Sequence, residues 1–158
     1  MIMTKRELVK LNLILNQVKD LDGTKFKYTI LRNIDLLKPQ IKALKSIEDD
    51  YKKILSKFEE GRNNLILRLG TKQSDGSISV SPESKEFEEF KEEYEKLVEE
   101  NKESIDTYNA QILEFEKLLN EEPAEEVTFR KISIDLCPEK GLSSENLDNL
   151  LSCGIIID

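Results

Sequence analysis

Two stretches decide the fold, LKPQIKALKSIEDDYKKILSKFEEGRNNL at residues 37–65 and FEEFKEEYEKLVEENKESIDTYNAQILEF at residues 87–115. In each stretch, large apolar residues recur at steps of three and four, the spacing of one face of an α-helix. The two series are mirror images about residue 76, so that Phe58 and Tyr94 lie equally far from it. This symmetry predicts two long helices packed antiparallel as a coiled-coil hairpin, with Phe58 against Tyr94.

The same mirror count predicts further pairs along the seam. Ile47 should contact Ile105, and Tyr51 should lie opposite Asn101. A buried amide opposite a hydroxyl is satisfied in one alignment only, so this polar pair would fix the register of the hairpin.

The expected fold is mainly α, a single domain of 158 residues built on this hairpin, with a short N-terminal helix and a small C-terminal β element. In chain order we predict a helix at 5–20, a kinked helix at 24–69, a tip at 70–83, a helix at 84–120, and a strand, short helix and terminal strand within 127–158.

Local signals support these bounds. Thr4 and Glu7 have the spacing of a capping box at the start of the first helix. Pro39 removes a helical hydrogen bond, so we expect a kink or break between about 35 and 39. Asp75-Gly76 is typical of a tight turn between two short strands, and Ser81-Pro82-Glu83 is typical of a helix start.

The C-terminal segment has a different pattern. VTFRKISIDL at 127–136 is rich in β-branched residues, which predicts a strand with a bulge near Arg130-Lys131. Its partner would be either residues 1–3 or the terminal strand 155–157. Between them, Ser143 or Ser144 should cap a short helix that ends before Gly154.

Charge is unevenly distributed along the chain. The net charge is -8, but residues 1–57 carry +6, residues 58–126 carry -12 and residues 127–158 carry -2. The simplest interpretation is that opposite charges favour the antiparallel register. The alternative is that the second long helix presents an anionic surface to a basic partner.

Under that alternative, six glutamates project away from the apolar stripe of the second helix. We therefore expect them to form a partner-binding surface: Glu88, Glu89, Glu92, Glu95, Glu99 and Glu103.

The residue types argue against an enzyme. The chain has no histidine, which removes the commonest general base and metal ligand. Cys137 and Cys153 provide only two of the four ligands usual for zinc, and no glycine-rich phosphate loop is present. We expect no catalytic residue, no metal and no cofactor, and we interpret both cysteines as small buried residues.

Localisation follows from what the sequence lacks. No apolar run approaches the 18 residues of a membrane span, and we find no signal peptide, so we expect a cytoplasmic protein without membrane association. Lysines and arginines cluster in residues 25–45, with Phe26 and Tyr28 between them. Because the whole chain is acidic, we assign those aromatic residues to the core and do not expect direct nucleic-acid binding.

The order of the segments resembles a diverse family of small tailed-phage and prophage proteins of unknown function. The resemblance rests on ELVKLNLILNQV at 7–18, KFKYTILRNIDLLKPQIKALK at 25–45 and EEVTFRKISIDL at 125–136, followed by the leucines of 147–151. It implies a phage origin and a helical hairpin with a small strand element. It implies no catalytic residue.

These observations lead to a non-enzymatic, phage-encoded protein-binding module in the cytoplasm of an infected bacterium. The acidic helix suits a host protein with a basic, nucleic-acid-binding groove, such as a defence protein that the phage inhibits. The alternative is a virion structural component or an assembly chaperone, for which the hairpin would form a homo-oligomer or bind a helical partner.

Overall fold

The computed structural model describes residues 2–122 and 126–158. These residues are mainly helical, as predicted, with six α-helices and four short strands in the described ranges. The elements are α1 (Lys5–Val18), α2 (Thr24–Ile54), α3 (Ser56–Leu69), β1 (Thr71–Lys72), β2 (Ile78–Ser79), α4 (Phe87–Glu100), α5 (Lys102–Asn120), β3 (Ile132–Ser133), α6 (Ser144–Ser152) and β4 (Ile156–Ile157). None of the described helices is both long enough and apolar enough to cross a membrane.

The chain divides into two compact units. Unit 1 combines the residues up to Ser46 with Glu116–Asp158, and unit 2 is Ile47–Phe115. Unit 1 is therefore built from two segments that are distant in sequence, whereas unit 2 is one continuous segment.

Unit 1 has the deeper core. Phe26, Ile30, Leu37 and Ile155 are all 0% exposed, and α1 contributes one apolar face to the same cluster. The face of α1 is Leu8, Leu11, Ile14, Leu15 and Val18. Its spacing of three and four residues places all five side chains on one side of the helix.

The start of α1 is as predicted. The Thr4 side chain accepts a hydrogen bond from the Glu7 backbone N–H, and the Glu7 carboxylate accepts one from the Thr4 N–H at 2.7 Å. The helix ends at Val18, two residues before the predicted end.

The expected kink or break between about 35 and 39 is not a break, because α2 continues through Pro39 to Ile54, and the kink stays a prediction. Pro39 and Asp35 are both exposed, so water can bond to the carbonyl that proline leaves without a helical partner. The interruption instead falls at Leu55, whose N–H bonds to the carbonyl of Lys52, three residues back.

The predicted strand at 127–136 is much shorter in the structure. Only Ile132 and Ser133 pair, in parallel with Ile156 and Ile157, and residues 134–136 form a 3-10 turn. The reason lies at Arg130, whose backbone N–H and C=O both bond to the Asn33 side chain, at 2.7 and 2.9 Å. A side chain thus takes the place of a neighbouring strand.

Other predictions for this segment are confirmed. The terminal strand is the partner of β3. Of the alternative partner, residues 1–3, Met1 lies outside the described residues. Ser143 caps α6 by accepting the Asn146 N–H at 3.2 Å, and α6 ends before Gly154.

In unit 2, the predicted hairpin turn is confirmed. β1 and β2 pair antiparallel, and Gly76 has a φ of 86°, a conformation that glycine adopts readily. The Asp75 carboxylate accepts hydrogen bonds from the Ser77 hydroxyl and N–H, and these bonds lower the pKa of Asp75.

The predicted helix at 84–120 differs at its start and in its middle. Ser81 does not cap it, because its hydroxyl closes a turn with the Glu83 N–H at 3.3 Å and α4 begins at Phe87. The helix is then interrupted at Asn101, whose N–H bonds to the carbonyls of Leu97 and Val98.

The seam of unit 2 agrees only partly with the mirror count. Phe58 packs against Tyr94 with ring centroids 6.1 Å apart, as predicted. Tyr51, however, packs against Tyr108 and Phe115, at 5.6 and 5.4 Å. These partners lie 7 and 14 residues beyond Asn101, so a single mirror point does not describe the whole seam.

Two residues of the predicted seam behave differently. Ile47 is 45% exposed, so it is not a buried seam residue. Asn101 is buried, but its side-chain amide donates to the carbonyl of Leu97 at 2.8 Å within its own helix. The NH2 group of Asn101 is thus satisfied within its own helix, and the pairing of Asn101 with the Tyr51 hydroxyl stays a prediction.

Candidate functional site

All six glutamates of the expected partner-binding surface are exposed. On α4, Glu88, Glu92, Glu95 and Glu99 are separated by steps of three and four residues, which places them on one side of the helix. We call these four residues the acidic face. No basic group of the described residues lies within 4.0 Å of any of these four carboxylates.

The opposite side of α4 is apolar and packs within unit 2. Phe90 stacks on Tyr94 with ring centroids 5.7 Å apart, and Tyr94 contacts Phe58 of α3. Gly61 of α3 lies so close to α4 that an added Cβ would be 2.7 Å from the Leu97 side chain. This packing fixes which side of α4 is left for solvent.

Glu89 lies on the flank of α4 rather than on the acidic face. Its carboxylate is 4.0 Å from the Arg68 guanidinium of α3, and Arg68 also hydrogen-bonds to Glu93. That hydrogen bond lowers the pKa of Glu93 and raises the pKa of Arg68. Glu89 and Glu93 therefore face α3.

Glu103 belongs to the next helix. It lies in the first turn of α5, beyond the interruption at Asn101, so the helical count of α4 does not carry through to it. Carboxylates in a first turn interact favourably with the helix dipole, and Glu103 has this local role. The structure thus groups four of the six predicted residues on one face.

The two units differ sharply in charge. Unit 2 has 10 basic and 18 acidic side chains, a net charge of -8, whereas unit 1 has 14 of each. The entire net charge of the protein is therefore carried by residues 47–115.

Sequence reasoning missed a second surface, in unit 1. Phe26 is fully buried as predicted, but Tyr28 is 65% exposed, so its assignment to the core is wrong. Helical spacing could have shown this difference. The residue four positions after Tyr28 is the charged Arg32, whereas the residue four positions after Phe26 is the apolar Ile30. Tyr28, Lys25 and Lys131 line an open groove of about 420 Å³.

The cysteines lie in unit 1. Cys153 is buried and Cys137 is half-buried, and burial raises the pKa of both thiols. A thiol with a raised pKa is a weak nucleophile at neutral pH. Across the described ranges, no three acidic or cysteine side chains converge so that they could hold a metal ion.

Comparison of the chain with models of protein families, with curated proteins and with solved structures finds no match.

Proposed function

We propose that this protein is a non-enzymatic binding module whose acidic face docks onto a basic protein. The observation that carries the proposal is the set of four exposed glutamates on one side of α4, none of them in an ion pair within the described ranges. Exposed like charges on one face repel one another, and a basic partner relieves that repulsion.

The concentration of charge supports the same proposal. A field of one sign accelerates encounter with a partner of the opposite sign and depends on ionic strength. Because unit 2 holds the whole net charge of -8, its field directs a basic partner to this unit. Proteins that handle nucleic acid carry basic grooves of this kind.

The proposal extends to fold and source. We propose that the helices of unit 2 form an antiparallel coiled-coil hairpin. Two contacts support it: Tyr51 packs against Phe115, and Phe58, which comes later in the chain, packs against the earlier residue Tyr94. With the resemblance to small phage proteins, the proposed setting is a bacterium infected by phage. There the partner is a host protein, and the binding blocks it.

The test compares two triple charge reversals with equal effects on net charge. The first, Glu88→Lys, Glu92→Lys and Glu95→Lys, reverses the acidic face. The control, Asp49→Lys, Glu59→Lys and Glu60→Lys, reverses exposed acids elsewhere in unit 2. Immobilised wild-type and variant proteins are used to capture partners from a lysate of phage-susceptible bacteria, at low and high salt.

We expect a basic protein that is captured by the wild type and by the control but lost by the acidic-face variant. Its capture should weaken as salt rises, because exposed charges are screened over about 8–10 Å. Circular dichroism should show both variants folded, since exposed substitutions change stability by about 0.5 kcal/mol or less. Equal loss by both variants, or loss by neither, would contradict the proposal.

A measurement of the oligomeric state distinguishes the binding module from the assembly alternative. If the protein is a virion or assembly component that acts as a homo-oligomer, light scattering should show association of the wild type alone. A monomer that still captures the basic protein supports the binding module instead.

A further inference from the structure

The groove in unit 1 lies between the first turns of α2 and the segment around β3. It is open and has a volume of about 420 Å³, within the range of roughly 300–1,000 Å³ typical of small-ligand sites. Six of the residues that line it carry the argument: Lys25, Tyr28, Thr29, Lys131, Ile132 and Leu136.

Thr29 is the most informative of these residues. It is 8% exposed and lines the groove, yet its hydroxyl has no hydrogen-bond partner among residues 2–122 and 126–158. The hydroxyl oxygen is not among the fully buried, unpartnered polar atoms of the described residues, so it is accessible to solvent and to a ligand. The groove therefore offers a polar contact that the chain itself leaves unused.

The groove is also positively charged. Lys25 and Lys131 form no ion pair within the described ranges, whereas nearby Lys27 lies 3.9 Å from Asp20. The first turn of α2 contains no acidic residue, so its free N–H groups and the positive end of the helix dipole add to the field. This combination favours an anion with several oxygen acceptors.

A flat apolar surface lies beside the charge. The Tyr28 ring is 65% exposed, and Ile132 and Leu136 line the same groove. Exposed aromatic rings of this kind stack on nucleobases.

Asn33 holds the far wall in place. Its fully buried side chain makes both hydrogen bonds to the Arg130 backbone, immediately before Lys131. Because Asn33 lies on α2 itself, it ties Lys131 to the helix that carries Lys25 and Tyr28. The cations and the ring are thus positioned before any ligand arrives.

We propose that this groove binds a nucleoside phosphate, either free or as part of a single strand. The phosphate lies at Lys25, Lys131 and the first turn of α2, and the base stacks on Tyr28. The Thr29 hydroxyl donates to a phosphate or sugar oxygen. Inorganic phosphate alone would leave the ring unused, and an acidic peptide would supply no base to stack.

The test is titration of the full chain with AMP. Binding is measured by calorimetry and by the amide NMR signals of residues 24–29 and 131–136. Lys25→Gln, Lys131→Gln and Tyr28→Leu should each weaken binding about tenfold, since a charged contact or a stacked base contributes roughly 1–3 kcal/mol. Thr29→Val should weaken it by a smaller factor. Lys45→Gln, an exposed lysine of α2 outside the groove, is the matched control and should have no effect.

Further probes identify the source of the ligand. If a ten-residue oligothymidylate binds more tightly than AMP and loses affinity in the same variants, the natural ligand is a single strand. If AMP binds at least as tightly as the oligothymidylate, the natural ligand is a free nucleotide. No binding of either below about 5 mM would overturn the proposal. So would inorganic phosphate binding as tightly as AMP, or a phosphoserine peptide binding more tightly than both.

Discussion

Unit 1 and unit 2 bury their apolar residues to different depths. In unit 1 several side chains, Phe26 and Leu15 among them, have no exposed surface, because helices and a small sheet enclose them from several directions. In unit 2 the buried seam residues Phe58 and Leu65 retain 8% exposure, and α4 has no buried residue. A seam between helices leaves one side of each residue near solvent, whereas a layered core does not.

The test of this difference with the largest expected effect is the truncation of one phenylalanine in each unit. Phe26→Ala should destabilise the protein by roughly 3–5 kcal/mol, because the enclosed site cannot collapse around the cavity. Phe58→Ala should destabilise it less, by about 3 kcal/mol, since neighbours beside an open seam can relax. Chemical denaturation of both variants gives the two values. Equal losses would remove the distinction between the two units.

A second test concerns the Asn33 side chain, which belongs to unit 1 alone. Asn33→Ala leaves the N–H and C=O of Arg130 without partners and should cost about 2–4 kcal/mol. Amide exchange at Arg130 should accelerate markedly. Asn33→Asp is the comparison for the exchange measurement: it keeps the acceptor for the Arg130 N–H, although losing the donor and burying a carboxylate should also destabilise it. Unchanged exchange in Asn33→Ala would mean that the local strand pairing, not Asn33, holds this segment.

Some features of the fold could be predicted from the sequence alone, and others could not. The cap at Thr4, the turn at Gly76 and the cap at Ser143 are local hydrogen-bond patterns, and all three were predictable. The short β3 was not, because Asn33 lies 97 residues away from Arg130. A polar side chain that substitutes for a strand leaves no periodic signal.

The same distinction applies to the candidate sites. Helical spacing located the acidic face. It could not show that Glu89 lies beside α3 instead, because this is seen only from the position of Arg68. Sequence reasoning assigns Tyr28 to the core because the acidic charge of the whole chain argues against a nucleic-acid surface at residues 25–45. The groove remained hidden, since it combines α2 with residues more than 100 positions later.

A smaller effect should come from Gly61 in the seam of unit 2. Gly61→Ala brings a Cβ to 2.7 Å from the end of the flexible Leu97 side chain, but alanine gains about 1 kcal/mol of helix propensity. We expect a net change below about 1 kcal/mol in thermal or chemical unfolding, because the open seam lets Leu97 rotate. Gly76→Ala is the control: nothing crowds that site, so only its positive φ penalises the variant. A loss above about 2 kcal/mol for Gly61→Ala would show that the seam is packed as rigidly as unit 1.

The smallest perturbation is thiol labelling, which changes no residue. Both cysteines lie in unit 1, and burial raises the pKa of each thiol, so little thiolate is present at neutral pH. Cys137 should react with a thiol reagent before Cys153, which is exposed only when the core opens. Mass spectrometry of partly labelled protein, with Cys137→Ser as the control, gives the order. Faster reaction at Cys153 would contradict the buried core of unit 1.

The hydrogen bonds between Asn33 and Arg130 also close a long loop of the chain, which has an entropic cost. Joining two residues 97 positions apart in an unfolded chain carries a loop-closure penalty of about 4 kcal/mol. When unit 2 forms first, the contact of Tyr51 with Phe115 shortens the remaining loop to roughly 33 residues and lowers that penalty by about 1 kcal/mol. Folding of the continuous unit first therefore lowers the entropic cost of completing the discontinuous one.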